Sequence, residues 1–243
     1  MYLTSMMILI TMVYGKIALF AGKGAVLASD VQYALEKMRI KYEKVNETQV
    51  KEGKLKYFEC LIIPGGYTET ILDSLTSDGL NEICNFVKSG GGYIGICAGA
   101  YIATDKVEIH PAYKRGKLKG LGIISIQNIR KEGIGVRRIK IVAPDHPITK
   151  NCPKELKIWY QNGPFIVPGK GIEVIANFDE SSDSLPSQGT EYAAIVCSYY
   201  GEGRVVIFSP HPEGSKMWRI KPAFGTLQLL RNAYEWVTCK EKI

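Results

Sequence analysis

The segment Gly91-Gly92-Tyr93-Ile94-Gly95-Ile96-Cys97-Ala98-Gly99-Ala100-Tyr101 constrains this 243-residue chain more than any other. A short apolar strand runs into a cysteine flanked by small residues, and a helix-compatible segment follows. The spacing Gly95-x-Cys97-x-Gly99 is that of a nucleophile elbow carrying a thiol in place of serine. Such a turn holds its central residue in a strained backbone conformation, so its neighbours must be small. Gly95, Ala98 and Gly99 meet that demand. The turn also directs backbone N–H groups toward the place where an oxyanion would form. The competing reading is a buried cysteine in a glycine-rich turn, since free cysteine often packs as a small core residue.

Two further segments bear on that choice. In Gly203-Arg204-Val205-Val206-Ile207-Phe208-Ser209-Pro210-His211-Pro212-Glu213 an apolar run stops abruptly at a histidine between prolines. Proline fixes the backbone and removes donors, so the strand ends there and holds His211 at its tip. Glu213, two residues on, can bring its carboxylate to one side of the imidazole and select the tautomer that accepts a proton from a thiol. His110 and His146, each followed by proline, read instead as loop histidines. The third segment, Cys60-Leu61-Ile62-Ile63, ends in Pro64-Gly65-Gly66-Tyr67, where paired glycines let the backbone approach a ligand and offer N–H groups to an anion. All three signals lie just past the carboxyl ends of apolar runs. In an open parallel sheet those ends share one edge, where ligands collect.

In this combination and order, the motifs resemble class I glutamine amidotransferase-like domains. More narrowly, the Cys97 elbow and Ser209-Pro210-His211-Pro212-Glu213 are similar to the amidotransferase-like domain at the amino end of some biotin–protein ligases, which also occurs free-standing. The resemblance implies Cys97 as nucleophile, His211 as base, Glu213 as its orienting acid, and an oxyanion hole from Gly65, Gly66 and Ala98. It also implies a small-molecule substrate, with a separate biotin ligase or synthetase as partner. Glutamine-hydrolysing members carry Gln or Glu four residues after the thiol, whereas this chain has Tyr101, whose phenol cannot copy the paired donor and acceptor of an amide. The thiol machinery is therefore expected without glutamine being implied as substrate. Tyr160-Gln161-Asn162-Gly163-Pro164 falls where related domains shape specificity, and Asn-Gly is also a strong turn former. Tyr67, Tyr101, Tyr160 and Asn162 are accordingly the candidate substrate-binding side chains, and Trp159 is assigned to the core. A binding or regulatory module of the same fold, its triad vestigial, is the alternative to an enzyme.

The rest of the chain sets the architecture. Strands over Ile17–Phe20, Tyr42–Val45 and Cys60–Ile63 alternate with a helix from Ser29, its face formed by Val31, Leu35 and Met38, and a second over Asp78–Lys88. That alternation predicts an α/β fold, a mostly parallel sheet flanked by helices in the flavodoxin-like manner. Repeated short strands between Leu118 and Phe208 predict an added β-rich region, and a helix over Pro222–Val237 closes the chain. No low-complexity linker interrupts residues 16–243, which are expected to form one domain. Residues 1–15 read as an extension or a misplaced start, with Met12 another candidate start. The apolar stretch Met6–Val13 is too short to span a bilayer, and no basic residue precedes it. The six cysteines lack the spacing of a zinc site or a disulfide scaffold, which points to the cytoplasm. Gly22-x-Gly24 lacks the third glycine of a dinucleotide motif and no Walker lysine occurs, so no metal or cofactor is expected. The net charge of +7 is concentrated in residues 114–140. That stretch reads as a solvated face or as attraction for an acidic substrate or partner; nucleic acid lacks a supporting motif.

Overall fold

The structure is a computed structural model that describes residues 17–108, 117–179 and 190–239. The amino-terminal extension, His110 and Lys114–Gly116 of the basic stretch lie outside the described residues. In chain order the elements are β1 (Ile17–Phe20), α1 (Ala28–Met38), β2 (Tyr42–Val45), α2 (Glu47–Lys51), β3 (Cys60–Ile63), α3 (Thr68–Lys88), β4 (Gly92–Ile96) and α4 (Ala98–Ile102). There follow β5 (Lys106–Glu108), β6 (Lys117–Lys119), β7 (Ile126–Ile129), β8 (Ile134–Ile141), β9 (Glu155–Gln161) and β10 (Phe165–Pro168). The chain then runs through β11 (Glu173–Phe178), β12 (Ala193–Tyr200), β13 (Gly203–Phe208) and α5 (Phe224–Thr238).

One large sheet organises the molecule in the order β2-β1-β3-β4-β13-β12-β11-β8-β9, with β10 and β7 paired off this path. From β2 to β13 every pairing is parallel, and from β13 outward every pairing is antiparallel. The β-rich region expected from the sequence thus extends the main sheet. β5 and β6 form a separate antiparallel pair.

The inner parallel strands β1, β3 and β4 are buried along their whole length because helices cover both faces. Alternate residues divide between two cores. Ile17, Leu19, Ile62 and Ile94 pack with Leu35 of α1 and Leu230 of α5, whereas Phe20, Leu61, Ile63 and Tyr93 pack with Ile71, Leu75 and Ile83 of α3. The strand period of two therefore serves two helical layers at once.

Three helix boundaries differ from the sequence expectation, among them α5, which runs over Phe224–Thr238 and not Pro222–Val237. Helix α1 starts at Ala28 with Leu27 as its N-cap and no side-chain cap, so Ser29 does not cap it. Its hydroxyl lies 3.5 Å from Asp30 Oδ1. Helix α3 begins ten residues before Asp78, because Ile71, Leu72 and Leu75 give its first half a buried face, and it breaks at Thr76, whose φ is 57°. Asn46 and Gln49 cap the short α2 reciprocally, a capping box that the sequence reading passed over. Among the described residues no helix is long and apolar enough to cross a membrane.

Ile62 is fully buried in a central strand. Replacing it with alanine should lower the unfolding free energy by about 2–5 kcal/mol. The check is urea denaturation, in which the midpoint falls and the slope stays constant.

Candidate active site

Parallel register places the three sequence signals side by side. Ile63 pairs with Gly95, and Ile96 pairs with Phe208, so β3, β4 and β13 end on one edge. Pro64-Gly65-Gly66, Cys97 and Ser209-Pro210-His211 follow those strands directly. Cys97 has φ 52° and ψ −98°, a left-handed conformation that is costly for a residue with a side chain. The glycines make it possible. A Cβ on Gly99 would lie 2.2 Å from the Ile63 carbonyl oxygen, and one on Gly95 would lie 2.6 Å from the Gly99 oxygen.

His211 is 1% exposed and Cys97 is 7% exposed. The imidazole Nδ1 lies 2.8 Å from Glu213 Oε1, and Nε2 shares the Gln161 carbonyl with the Cys97 sulfur, each 3.4 Å from that oxygen. With Nδ1–H donated to the carboxylate, Nε2 is the nitrogen left to exchange a proton with sulfur. Burial opposes charge on His211. The neighbouring Glu213 carboxylate and the Cys97 sulfur outweigh that penalty and hold its pKa well above the usual histidine range.

The structure brings Gly65 into the same cluster. A Cβ there would meet Leu27 Cδ1 at 2.8 Å, His211 Cε1 at 2.9 Å and the Cys97 Cβ at 3.4 Å. Gly66 lies against the Gly24 carbonyl, where an added Cβ would approach to 2.0 Å. Ala98 opens α4 beside the sulfur. Among the described residues the Gly65, Gly66 and Ala98 N–H groups have no protein acceptor.

The four candidate substrate-binding side chains are distributed differently. Tyr101 is buried beside Cys97, its hydroxyl donating to the Asn162 carbonyl at 3.2 Å. The Arg130 guanidinium lies 5.9 Å from the Tyr101 ring centre and 3.9 Å from Glu69 Oε1. Asn162, at φ 55°, exchanges two hydrogen bonds with Gly133: its N–H donates to the Gly133 oxygen, and its Oδ1 accepts the Gly133 N–H. That side chain ties the turn to the start of β8. Tyr160 is fully buried, with its hydroxyl donated to the Lys131 and Gly163 carbonyls, so its polar end is already engaged within the protein. Tyr67 is 57% exposed. Trp159 is buried and forms a bridge to His211.

Two features were not legible in the sequence. The main-chain carbonyl of Gln161 lies 3.4 Å from both Cys97 Sγ and His211 Nε2. A backbone atom leaves no side-chain signature, and only the turn at Asn162-Gly163 hinted at it. The second is Asp30, buried in the first turn of α1 with the His211 charge among its electrostatic partners.

A separate cluster on the antiparallel side has metal-type ligands: His146, Glu173 and Cys197, whose ligand atoms lie within 4.8 Å of one another. His146 Nδ1 accepts the Ile148 N–H at 3.1 Å, so in the neutral ring the proton sits on Nε2. Nε2 faces Cys197 Sγ and Glu173 Oε2, each at 3.7 Å. A metal ion would need the Nε2 lone pair, which this tautomer has already committed to a proton. Burial lowers the His146 pKa against the opposing pull of Glu173, and burial raises that of the Cys197 thiol. The cluster is a hydrogen-bonded one. A cavity of about 1150 Å3 lies at the amino ends of β3, β4 and β13, between Phe58, Phe86 and Tyr199. That is the sheet edge opposite Cys97, so chemistry and not size locates the site.

A family model described as the N-terminal region of biotin-protein ligase matches residues 17–122 and 127–228. The pyridoxal 5'-phosphate synthase subunit PdxT of Koribacter versatilis is 30% identical over 186 residues, covering 75% of this chain and 81% of that protein. The biotin–protein ligase of Schizosaccharomyces pombe is 24% identical over 174 residues, 64% of this chain but only 25% of the ligase. Among solved structures, PurLQS from Thermotoga maritima superimposes with a TM-score of 0.65 at 17% identity, covering 91% of this chain and 98% of that one. A glutamine amidotransferase from the same organism gives a TM-score of 0.55 at 14% identity, covering 93% and 98% of the two chains. These structures share the fold.

The Gly65→Ala variant should push His211 or Leu27 aside while leaving the sheet intact. Alkylation of Cys97 should slow by about tenfold or more, with an unchanged far-ultraviolet circular dichroism spectrum.

Proposed function

The chain belongs to the family of biotin-protein ligase N-terminal domains, and from that premise we propose that it is a thiol-dependent hydrolase or amidotransferase-like enzyme acting on an amide or related carbonyl substrate. The observation that carries the proposal is the buried imidazole with Glu213 at 2.8 Å on Nδ1, while Nε2 and the strained Cys97 sulfur converge on one Gln161 carbonyl, each at 3.4 Å. A pure binding site has no need of that arrangement.

In the proposed reaction the Cys97 thiolate attacks the carbonyl carbon and forms a C–S bond, and the carbonyl electron pair moves onto oxygen. The N–H groups of Gly65, Gly66 and Ala98 stabilise that oxyanion. Collapse of the intermediate breaks the bond to the leaving amine, which takes the proton from His211 Nε2. Water then attacks the thioester, with His211 accepting its proton, and collapse releases the acid and the thiolate. Glu213 keeps the ring oriented and stabilises the imidazolium throughout.

Tyr101 supports a substrate other than glutamine, since its hydroxyl is directed to the Asn162 carbonyl. PdxT is by its name a synthase subunit, which supports a separate ligase or synthetase as partner. Residues 16–243 acting as one domain in the cytoplasm belong to the same proposal.

The test is the pH dependence of Cys97 alkylation by iodoacetamide, read on the Cys97 peptide by mass spectrometry. Ordinary thiols, with pKa about 8.5, react slowly near pH 6. An imidazolium beside the sulfur favours its anion, so Cys97 should react rapidly there, and His211→Ala should abolish that advantage. An ordinary profile in the native protein, unmoved by His211→Ala, would contradict the enzyme and favour a binding module.

A further inference from the structure

We propose that Tyr101 is a positioning residue, whose hydroxyl pins the turn after β9 so that the Gln161 main-chain carbonyl stands ready to accept the Nε2 proton of His211. The proposal rests on the reading of Cys97 and His211 given above, and it gives Tyr101 a part in proton transfer in place of substrate contact.

The Gln161 oxygen lies 3.4 Å from Cys97 Sγ and 3.4 Å from His211 Nε2. One acceptor thus faces the two groups that exchange a proton in the proposed reaction. While sulfur holds the proton, S–H is the donor to this oxygen. Once Nε2 holds it, N–H is the donor, and the carbonyl dipole favours the charged ring. A carbonyl swung away would withdraw that support and lower the pKa of the imidazole.

The aim of this carbonyl is set by the next residue. A trans peptide points its C=O and the following N–H in opposite directions. Asn162 N–H donates to the Gly133 oxygen at 2.9 Å, so the Gln161 oxygen on the same peptide is turned toward the sulfur and the imidazole. Asn162 itself has a φ of 55°, a left-handed conformation that needs support. Its Oδ1 accepts the Gly133 N–H at 2.8 Å, and the Tyr160 hydroxyl donates to the adjoining Gly163 carbonyl at 2.8 Å. Gly163 sits so close to Ser209 that a Cβ would lie 2.0 Å from the Ser209 oxygen.

The Tyr101 hydroxyl adds the link to the thiol. Tyr101 belongs to α4, the helix for which Cys97 is the N-cap, and it donates to the Asn162 carbonyl at 3.2 Å. That bond sets the turn relative to the sulfur, while His211 N–H, donated to the Trp159 oxygen at 2.7 Å, sets β9 relative to the imidazole. Burial raises the Tyr101 pKa far above the ordinary phenol range, so the hydroxyl stays neutral while Cys97 and His211 titrate. Tyr101→Phe therefore removes one hydrogen bond and no charge. The groups that act electrostatically on His211 are Glu213, Cys97 and Asp30 of α1, and those on Tyr101 include Arg130 and Glu69; all stay in place.

The experiment compares the native protein with Tyr101→Phe, Asn162→Gly, His211→Ala and the double variant Tyr101→Phe/His211→Ala, each checked for folding by its thermal midpoint. Two readouts are taken: the pH profile of Cys97 alkylation by iodoacetamide, and the nitrogen NMR titration of His211. Tyr101→Phe should slow alkylation near pH 6 by about three- to tenfold, the strength of one hydrogen bond, and move the His211 titration downward. Above about pH 10, where even an ordinary thiol is ionised, its rate should match the native one. Added to His211→Ala, Tyr101→Phe should change nothing further, because the hydroxyl acts through the imidazole. Asn162→Gly tolerates the left-handed turn but cuts its side-chain tie to Gly133. It should move both readouts the same way, which keeps the test decisive if Tyr101→Phe does not fold. A native profile and titration in both variants would overturn the proposal. So would equal slowing at every pH, or equal slowing in the His211→Ala background, since either would make the hydroxyl a packing group only. If native alkylation proves independent of His211, the enzyme reading fails, and the His211 titration still decides the role of Tyr101.

Discussion

The site depends on one close approach, the contact of the Gly99 backbone with the carbonyl of Ile63. Any side chain at residue 99 would collide with that oxygen at 2.2 Å, so the chain leaving β4 must turn tightly over the end of β3. The buried Tyr93 hydroxyl donates to the Gly99 oxygen at 2.8 Å and secures the turn from below. The left-handed conformation of Cys97 follows, and the sulfur is set at the sheet edge. Parallel pairing with β13 then fixes how far His211 projects. The strain at Cys97 is local, and the two cores on either side of the parallel strands offset it.

Electrostatics add a second constraint. His211 and Glu213 are both buried, and Glu213 Oε2 has no hydrogen-bond partner among the described residues. A buried charge pair with an unsatisfied oxygen does not stabilise a fold by itself. It persists because the surrounding backbone holds it: the Trp159–His211 bridge on one side, and the closed segment from Gly214 to Ile220 on the other. Rigid support of this kind is what a preorganised imidazolium requires.

The parallel half of the fold was legible because its signals are local. Apolar runs of four or five residues marked β1, β3 and β4, and the ends of β3, β4 and β13 located the Pro64–Gly66 loop, Cys97 and His211. Helix α3 was read too short because Thr76 interrupts its pattern. Tyr160 shows the limit for single side chains. An aromatic at a strand end serves equally at a pocket mouth or in a core, and only the Lys131 and Gly163 carbonyls around its hydroxyl decide for the core. Gln161 and Asp30 stayed hidden for different reasons. The first contributes a backbone atom, and the second is a polar residue on the buried side of α1, where periodicity predicts only apolar ones.

The central claim is that Cys97 and His211 act on one another as a working pair, and nitrogen NMR titration of His211 tests it most directly. The native imidazole should titrate well above the ordinary histidine range. In Cys97→Ala the influence of the sulfur is gone while burial remains, so the titration should move downward. An imidazole that titrates identically with and without the sulfur would show that the two groups are uncoupled and would contradict the account.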